Sequence, residues 1–146
     1  MKVLGLFSSS KKDKSKIRPE KSSLELVKGY GIKGDKFART NPLRSVMIVP
    51  KDAYKILEKN DIYLKYGSLG ENILVDFNIM NYKINTLFQI GSVRLKITEH
   101  CTICNHLAYF DKKVPMLVQN HRGLYCQILN SGTLYNSMDI LELGDI

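Results

Sequence analysis

Short apolar runs recur along this chain at roughly 8–12-residue spacing, each closed by a cluster of Gly, Asn, Asp or Ser. That rhythm leaves little room for long helices and points to a barrel or sandwich of short strands. Strands are expected over residues 2–7, 24–28, 44–49, 73–75, 84–88, 93–98, 123–129, 133–135 and 140–143. Pro50 opens the clearest helical pattern, over 50–59, with Asp52 near its start and Ala53, Ile56 and Leu57 on one face. Residues 100–110 leave room for one further short helix. The fold class read from this pattern is mostly β, barrel-like, with one or two short helices.

With 146 residues and no internal repeat or long linker, the chain is read as a single domain over 1–146, large enough for a core without disulfide staples. No apolar run approaches the ~20 residues of a membrane span. The opening residues read as a strand and not as a secretory signal, so the expected compartment is cytoplasmic. The net charge of +8 is unevenly placed. Residues 1–55 carry 14 Lys and Arg against 5 Asp and Glu, whereas the remainder carries 8 against 9. Lys11, Lys12, Lys14, Lys16, Arg18 and Lys21 crowd into eleven positions. No recognition helix, zinc finger or aromatic-rich RNA-binding pattern accompanies them, which disfavours nucleic acid as a partner. A solvated loop is the plainer reading, with a field able to draw in a small anion.

The chemistry-bearing residues fall in four places. Three cysteines, Cys101, Cys104 and Cys126, are too few for a disulfide framework. The cluster His100-Cys101-Thr-Ile-Cys104-Asn-His106 suits a reactive thiol, a buried core thiol, a tetrahedral zinc completed by Cys126 or His121, or a dithiol pair. The loop around Gly34 and Asp35 has three glycines in six residues, and serves either an anion held by backbone N–H groups or a positive φ. Nearby Lys33, Lys36, Arg39 and Arg44 favour the anion. A second loop, Gly67-Ser-Leu-Gly70-Glu71-Asn72, either lines a pocket or caps its own turn. Arg122 precedes Gly123 at a strand start, and its planar fork suits phosphate or an oxo-anion.

Taken in order, four segments resemble the MOSC domain, named for the C-terminal part of molybdenum cofactor sulfurases. They are Gly31-Ile-Lys-Gly34-Asp35 followed by Arg44-Ser-Val-Met-Ile; Gly67 to Val75; Ile90-Gly-Ser-Val-Arg-Leu-Lys-Ile-Thr-Glu-His-Cys-Thr-Ile-Cys104; and Arg122-Gly-Leu-Tyr-Cys-Gln-Ile-Leu-Asn-Ser-Gly132 with Met138-Asp-Ile-Leu-Glu-Leu143. The resemblance implies a stand-alone barrel-like domain that binds the molybdenum cofactor (molybdopterin) or carries sulfur for a metal centre. It places Cys104 at the family's cysteine. Together with the loop and charge readings above, it makes Gly34, Asp35, Arg44, Gly70, Glu71, Asn72 and Arg122 the candidate cofactor contacts, with a sulfur donor protein or a molybdoenzyme as expected partner. The family often has Arg three residues before its cysteine and Pro directly before it; here those positions are Cys101 and Ile103. The alternative expectation is an interaction module that kept the fold without the thiol chemistry, or a protein with a structural zinc at the Cys/His cluster.

Overall fold

The computed structural model describes residues 1–102 and 105–145. Ten strands and two short helices follow one another as β1 (Val3–Leu6), β2 (Ser23–Val27), β3 (Gly31–Ile32), β4 (Val46–Pro50), α1 (Lys51–Glu58), β5 (Ile73–Val75), β6 (Thr86–Ile90), β7 (Val93–His100), α2 (Val114–Val118), β8 (Leu124–Asn130), β9 (Gly132–Tyr135) and β10 (Leu141–Asp145). Single turns of 3-10 helix span Pro42–Arg44, Ile79–Asn81 and Asn105–Tyr109. Seven strands form one curled sheet in the order β1-β5-β4-β8-β7-β6-β10, and β3-β2-β9 form a second. Hydrogen bonds from Val3 N to Met138 O and from Ile140 N to Met1 O draw the two ends of the large sheet towards each other. None of the helices among the described residues is long and apolar enough to cross a membrane.

The central strands are buried on both faces, and their side chains divide between two cores by the period of two that pleating imposes. Val46 and Ile48 of β4 join Ile73 and Val75 of β5 in the barrel interior. Met47, Val49 and Leu74 face a second core against α1 and α2. This is why both strands read as unbroken apolar runs. The β4–α1–β5 unit makes the one parallel pairing among the described strand pairs, Ile48 opposite Ile73. Helix α1 buries Ala53, Tyr54 and Leu57, while Ile56 is only half-buried.

Several expected boundaries shift for local reasons. Pro50 caps α1 and does not enter it; its extended backbone (φ −79°, ψ 148°) ends β4. The strand expected from residue 84 begins at Thr86, because Asn85 adopts φ 77°. Residues 31–32, read as part of a loop, pair with β2 in a tight hairpin. Helix α2 lies beyond the stretch in which a second helix was expected; Pro115 in its first turn was the available signal.

The chain entering β8 passes so close to β4 that Gly123, just before the strand, has no space for a side chain: a Cβ there would lie 2.2 Å from the Ile48 carbonyl oxygen. Both groups are backbone, so neither can move aside cheaply. Gly123→Ala is expected to cost roughly 2–4 kcal/mol through overlap and backbone strain. Urea denaturation measures this, and a loss below about 0.5 kcal/mol would show that the strands separate easily.

Candidate functional site

A cleft of about 750 Å³ opens where the first loop, the Gly34–Asp35 loop, the Gly67–Asn72 loop and the start of β8 converge. The lining contributes six cations, Lys14, Lys16, Arg18, Lys36, Arg44 and Arg122, against two carboxylates, Asp13 and Asp35. The first loop leaves β1 and returns through a zipped neck: Phe7 pairs with Glu20, Ser8 N donates to Pro19 O, and Lys21 N donates to Leu6 O. Its lysines are exposed, yet Arg18 is not the solvated charge that the sequence suggested. The Arg18 side chain is 14% exposed and lies 3.3 Å from Asp35. Burial lowers the Arg18 pKa, opposed chiefly by the Asp35 charge.

Asp35 pins this loop to its neighbour. Its Oδ1 accepts from Ser8 Oγ at 2.7 Å and Ser9 N at 3.2 Å, and its Oδ2 accepts from Phe37 N at 3.0 Å. Gly34 does not line the cleft, and the space around it is open. Arg44 lines it, forms an ion pair with Glu99 and sits 5.2 Å from the centre of the Tyr125 ring.

Arg122 forms the floor. It is 5% exposed, and its Nε donates to Leu69 O at 2.7 Å. Its Nη1 donates to Cys101 Sγ at 3.4 Å, and its Nη2 lies 3.2 Å from His106 Nε2. A guanidinium only donates, so His106 Nε2 is the acceptor and the imidazole carries its proton on Nδ1. Burial, then the charges of Arg122, Lys16 and Arg18, hold the His106 pKa below its ordinary value. Gly70 makes room for this arrangement: a Cβ there would meet Arg122 Nη2 at 2.6 Å. Cys101 Sγ also lies 3.7 Å from Tyr125 Oη, and Tyr125 titrates above its usual range through burial first and Cys101 second.

Asn72 touches the cleft, but much of its side chain serves the fold. Its Oδ1 accepts from Met47 N at 2.9 Å and its Nδ2 donates to Phe7 O at 3.1 Å. Glu71 lies wholly buried beneath the loop, outside the cleft lining. Its Oε2 accepts from Tyr54 Oη at 2.5 Å and its Oε1 from Leu69 N at 3.2 Å. The structure thus brings Asp35, Arg44, Gly70, Asn72 and Arg122 to one cleft and leaves Gly34 and Glu71 outside it. Cys104, the expected sulfur carrier, lies outside the described residues. Among those described, no three His, Cys, Asp or Glu side chains come together to hold a metal ion. Tyr125 is a cleft residue that sequence reasoning missed, since a tyrosine within a strand carries no motif of its own.

Desolvation raises the Glu71 pKa against the hydrogen bond from Tyr54 and the backbone bonds around it. The folded chain therefore holds this proton more tightly than the unfolded chain. Stability conferred by the protonated form is complete below the ordinary carboxylate pKa and is lost as pH rises towards the raised folded value. Relative to wild type, Glu71→Gln should gain stability across that window, by up to about 1.4 kcal/mol per pH unit. Denaturation of both proteins across the acid range tests this; a difference that stays constant with pH would refute it.

The sequence matches the family described as the MOSC domain over residues 38–145. No curated protein matches it. Among solved structures, the fold is similar to the YUAD protein from Bacillus subtilis, with a TM-score of 0.80 at 17% identity over 95% of this chain and 93% of that one. YiiM from Escherichia coli gives a TM-score of 0.71 at 18% identity, covering 100% of this chain and 71% of that one. YiiM from Geobacillus stearothermophilus gives 0.70 at 11% identity, over 97% and 72%. At such identities the likeness is one of fold. The family match runs from the Gly34–Asp35 loop's far side through β10, and the curled β architecture agrees with it: the chain belongs to the MOSC domain family, which is linked to molybdenum cofactor sulfurase-like proteins.

Proposed function

We propose that this protein holds an anionic, phosphorylated pterin cofactor of molybdenum in the cationic cleft, with Cys104 as sulfur carrier or metal contact. The observation carrying the reading is the convergence of six cationic side chains on one cleft of about 750 Å³. That volume lies within the roughly 300–1,000 Å³ of small-molecule sites. The residues present suit such a group. Lys14, Lys16 and Lys36 offer mobile charges for a phosphate, while Arg122 offers a fixed planar donor at the floor. Gly70 leaves the approach to Arg122 free of a side chain.

When bound, the cofactor supplies a redox-active molybdenum centre. The chain's own residues bind and orient. Arg122 is locked by Leu69 O and His106, so its fork needs no reorganisation to present charge. Neutral His106 adds no second cation at that point and accepts a hydrogen bond from Arg122. A separate protein donates the sulfur in this reading, and a molybdoenzyme or its cofactor pool receives it. Cytoplasmic residence belongs to the same proposal.

Native mass spectrometry of protein co-produced with the cofactor pathway tests the proposal. Wild type should carry extra mass from molybdenum and a phosphorylated pterin. Charge reversal at two cleft lysines, Lys16→Glu with Lys36→Glu, should reduce occupancy by about tenfold, or ~1.4 kcal/mol. Cys104→Ser should retain the pterin and lose any added sulfur. Unliganded wild type under saturating cofactor supply would overturn the binding reading. A Cys104→Ser protein equal to wild type in cofactor and in maturation of a molybdoenzyme would favour an interaction module.

A further inference from the structure

Among the described residues lining the cleft, Phe37 and Tyr125 carry six-membered aromatic rings. Tyr125 is half-buried, with the Arg44 guanidinium 5.2 Å from its ring centre and its hydroxyl beside Cys101 Sγ. Phe37 keeps its ring open to solvent and is 52% exposed. Other exposed aromatics, Tyr63, Tyr109 and Tyr135, lie outside the cleft lining. A phenyl group facing water contributes little to the core, yet the chain holds this one still. Phe37 N donates to Asp35 Oδ2 at 3.0 Å, and its carbonyl accepts from Thr40 Oγ1 at 2.6 Å and Thr40 N at 3.3 Å. The preceding Lys36 N donates to Ser9 O at 2.7 Å. A short aromatic side chain on a pinned backbone loses little freedom when a ligand lies against it.

We infer that Phe37 is the stacking platform of the cleft, taking the planar heteroaromatic ring of a ligand whose phosphate is held by the neighbouring cations. The inference rests on the reading of the cleft as the site of a phosphorylated pterin, and adds which group holds the ring. The Arg18 guanidinium and the Lys36 ammonium each lie 5.2 Å from the centre of the Phe37 ring. Arg18 is fixed by its pairing with Asp35, whereas Lys36 is half-buried on a flexible stem. An aromatic face and cationic side chains therefore meet at one place on the rim. That combination suits a ligand with a flat ring at one end and a phosphate at the other: the ring stacks, and the anion meets fixed and mobile charge beside it.

Polar groups next to the platform already serve the fold. Thr40 Oγ1 donates to the Phe37 carbonyl, Asn41 Oδ1 accepts from Leu43 N, and Ser45 Oγ donates to Pro42 O. Stacking tolerates many heterocycles because each has a π-face, so the platform favours ligands with a ring over those without one. A purely structural part for Phe37, covering the Arg18–Asp35 pair, predicts lower stability on truncation and no such preference.

The test measures, by calorimetry on the full-length protein, the affinity for ribose phosphate, guanosine monophosphate and neopterin monophosphate. The first two share a phosphorylated ribose and differ by the base; the third carries a pterin. Wild type should bind a ring-bearing phosphate at least about fivefold more tightly than ribose phosphate. Phe37→Leu should bring that ratio close to one. The chain contains no tryptophan, so Phe37→Trp supplies a single emitter at the platform. Ring-bearing phosphates should quench it, and ribose phosphate should not. Equal affinity of wild type for all three phosphates, or an undiminished ring preference in Phe37→Leu, overturns the inference while leaving the cofactor reading standing. Preference for guanosine monophosphate with none for neopterin monophosphate supports the platform and overturns the pterin reading. Failure of wild type to bind any of the phosphates overturns the anion cleft and the platform together. The comparison on wild type needs no variant, so a misfolded substitution cannot obscure the result.

Discussion

Four hydrogen bonds at Asn72 hold together the part of the molecule on which the cleft depends. Its side chain accepts from Met47 N and donates to Phe7 O, while its backbone donates to Met47 O and accepts from Phe7 N. One residue thereby joins the end of β1, the middle of β4 and the entry to β5. Each of these backbone groups is buried, and leaving one unpaired would cost about 1–3 kcal/mol. The same bonds fix where the preceding loop turns. Gly70 is thus held against Arg122, and Glu71 is pushed inward to Tyr54. A side chain that looks like a ligand contact in the sequence is first of all a joint.

Arg122 extends that joint to the chemistry. A buried cation is costly unless its donors are used, and here the guanidinium is spread over a carbonyl, a thiol sulfur and an imidazole nitrogen. The position three residues before Cys104, often arginine in the family, is Cys101 here, and a guanidinium still reaches it from the bend that leads into β8. The cleft keeps its positive floor from a different part of the chain.

Much of the architecture was legible because pleating and turn chemistry write themselves into spacing. Residues 73–75 read as a buried strand because both faces are covered, and the barrel-like class followed from the repeated short runs. The site was less legible. Asp35, Arg44, Gly70, Asn72 and Arg122 meet at one cleft, but the sequence offered no means of separating Asp35 and Asn72 as scaffold from Arg122 as floor. That distinction lies in which partner each polar atom finds, and the partners are distant in the chain. Asn72 bonds Phe7 across 65 positions and Arg122 bonds Leu69 across 53. The basic first loop misled for a related reason. A run of lysines looks the same whether it faces water or a cleft, and only the burial of Arg18 against Asp35 tells them apart.

The zipped neck of that loop separates two kinds of change. Phe7–Glu20 pairing, the Asp35 carboxylate and the bond from Arg18 N to Gly67 O fasten its ends, while Lys11, Lys12 and Lys14 at its tip are exposed. Doubling the length of a flexible tip costs only about 0.6 kcal/mol in closure entropy. Descendants of this chain can therefore lengthen, shorten or recharge the tip, and so change the charge presented at the cleft, without renegotiating the barrel beneath it. The charge of the cleft and the ability to fold are inherited here as separate traits.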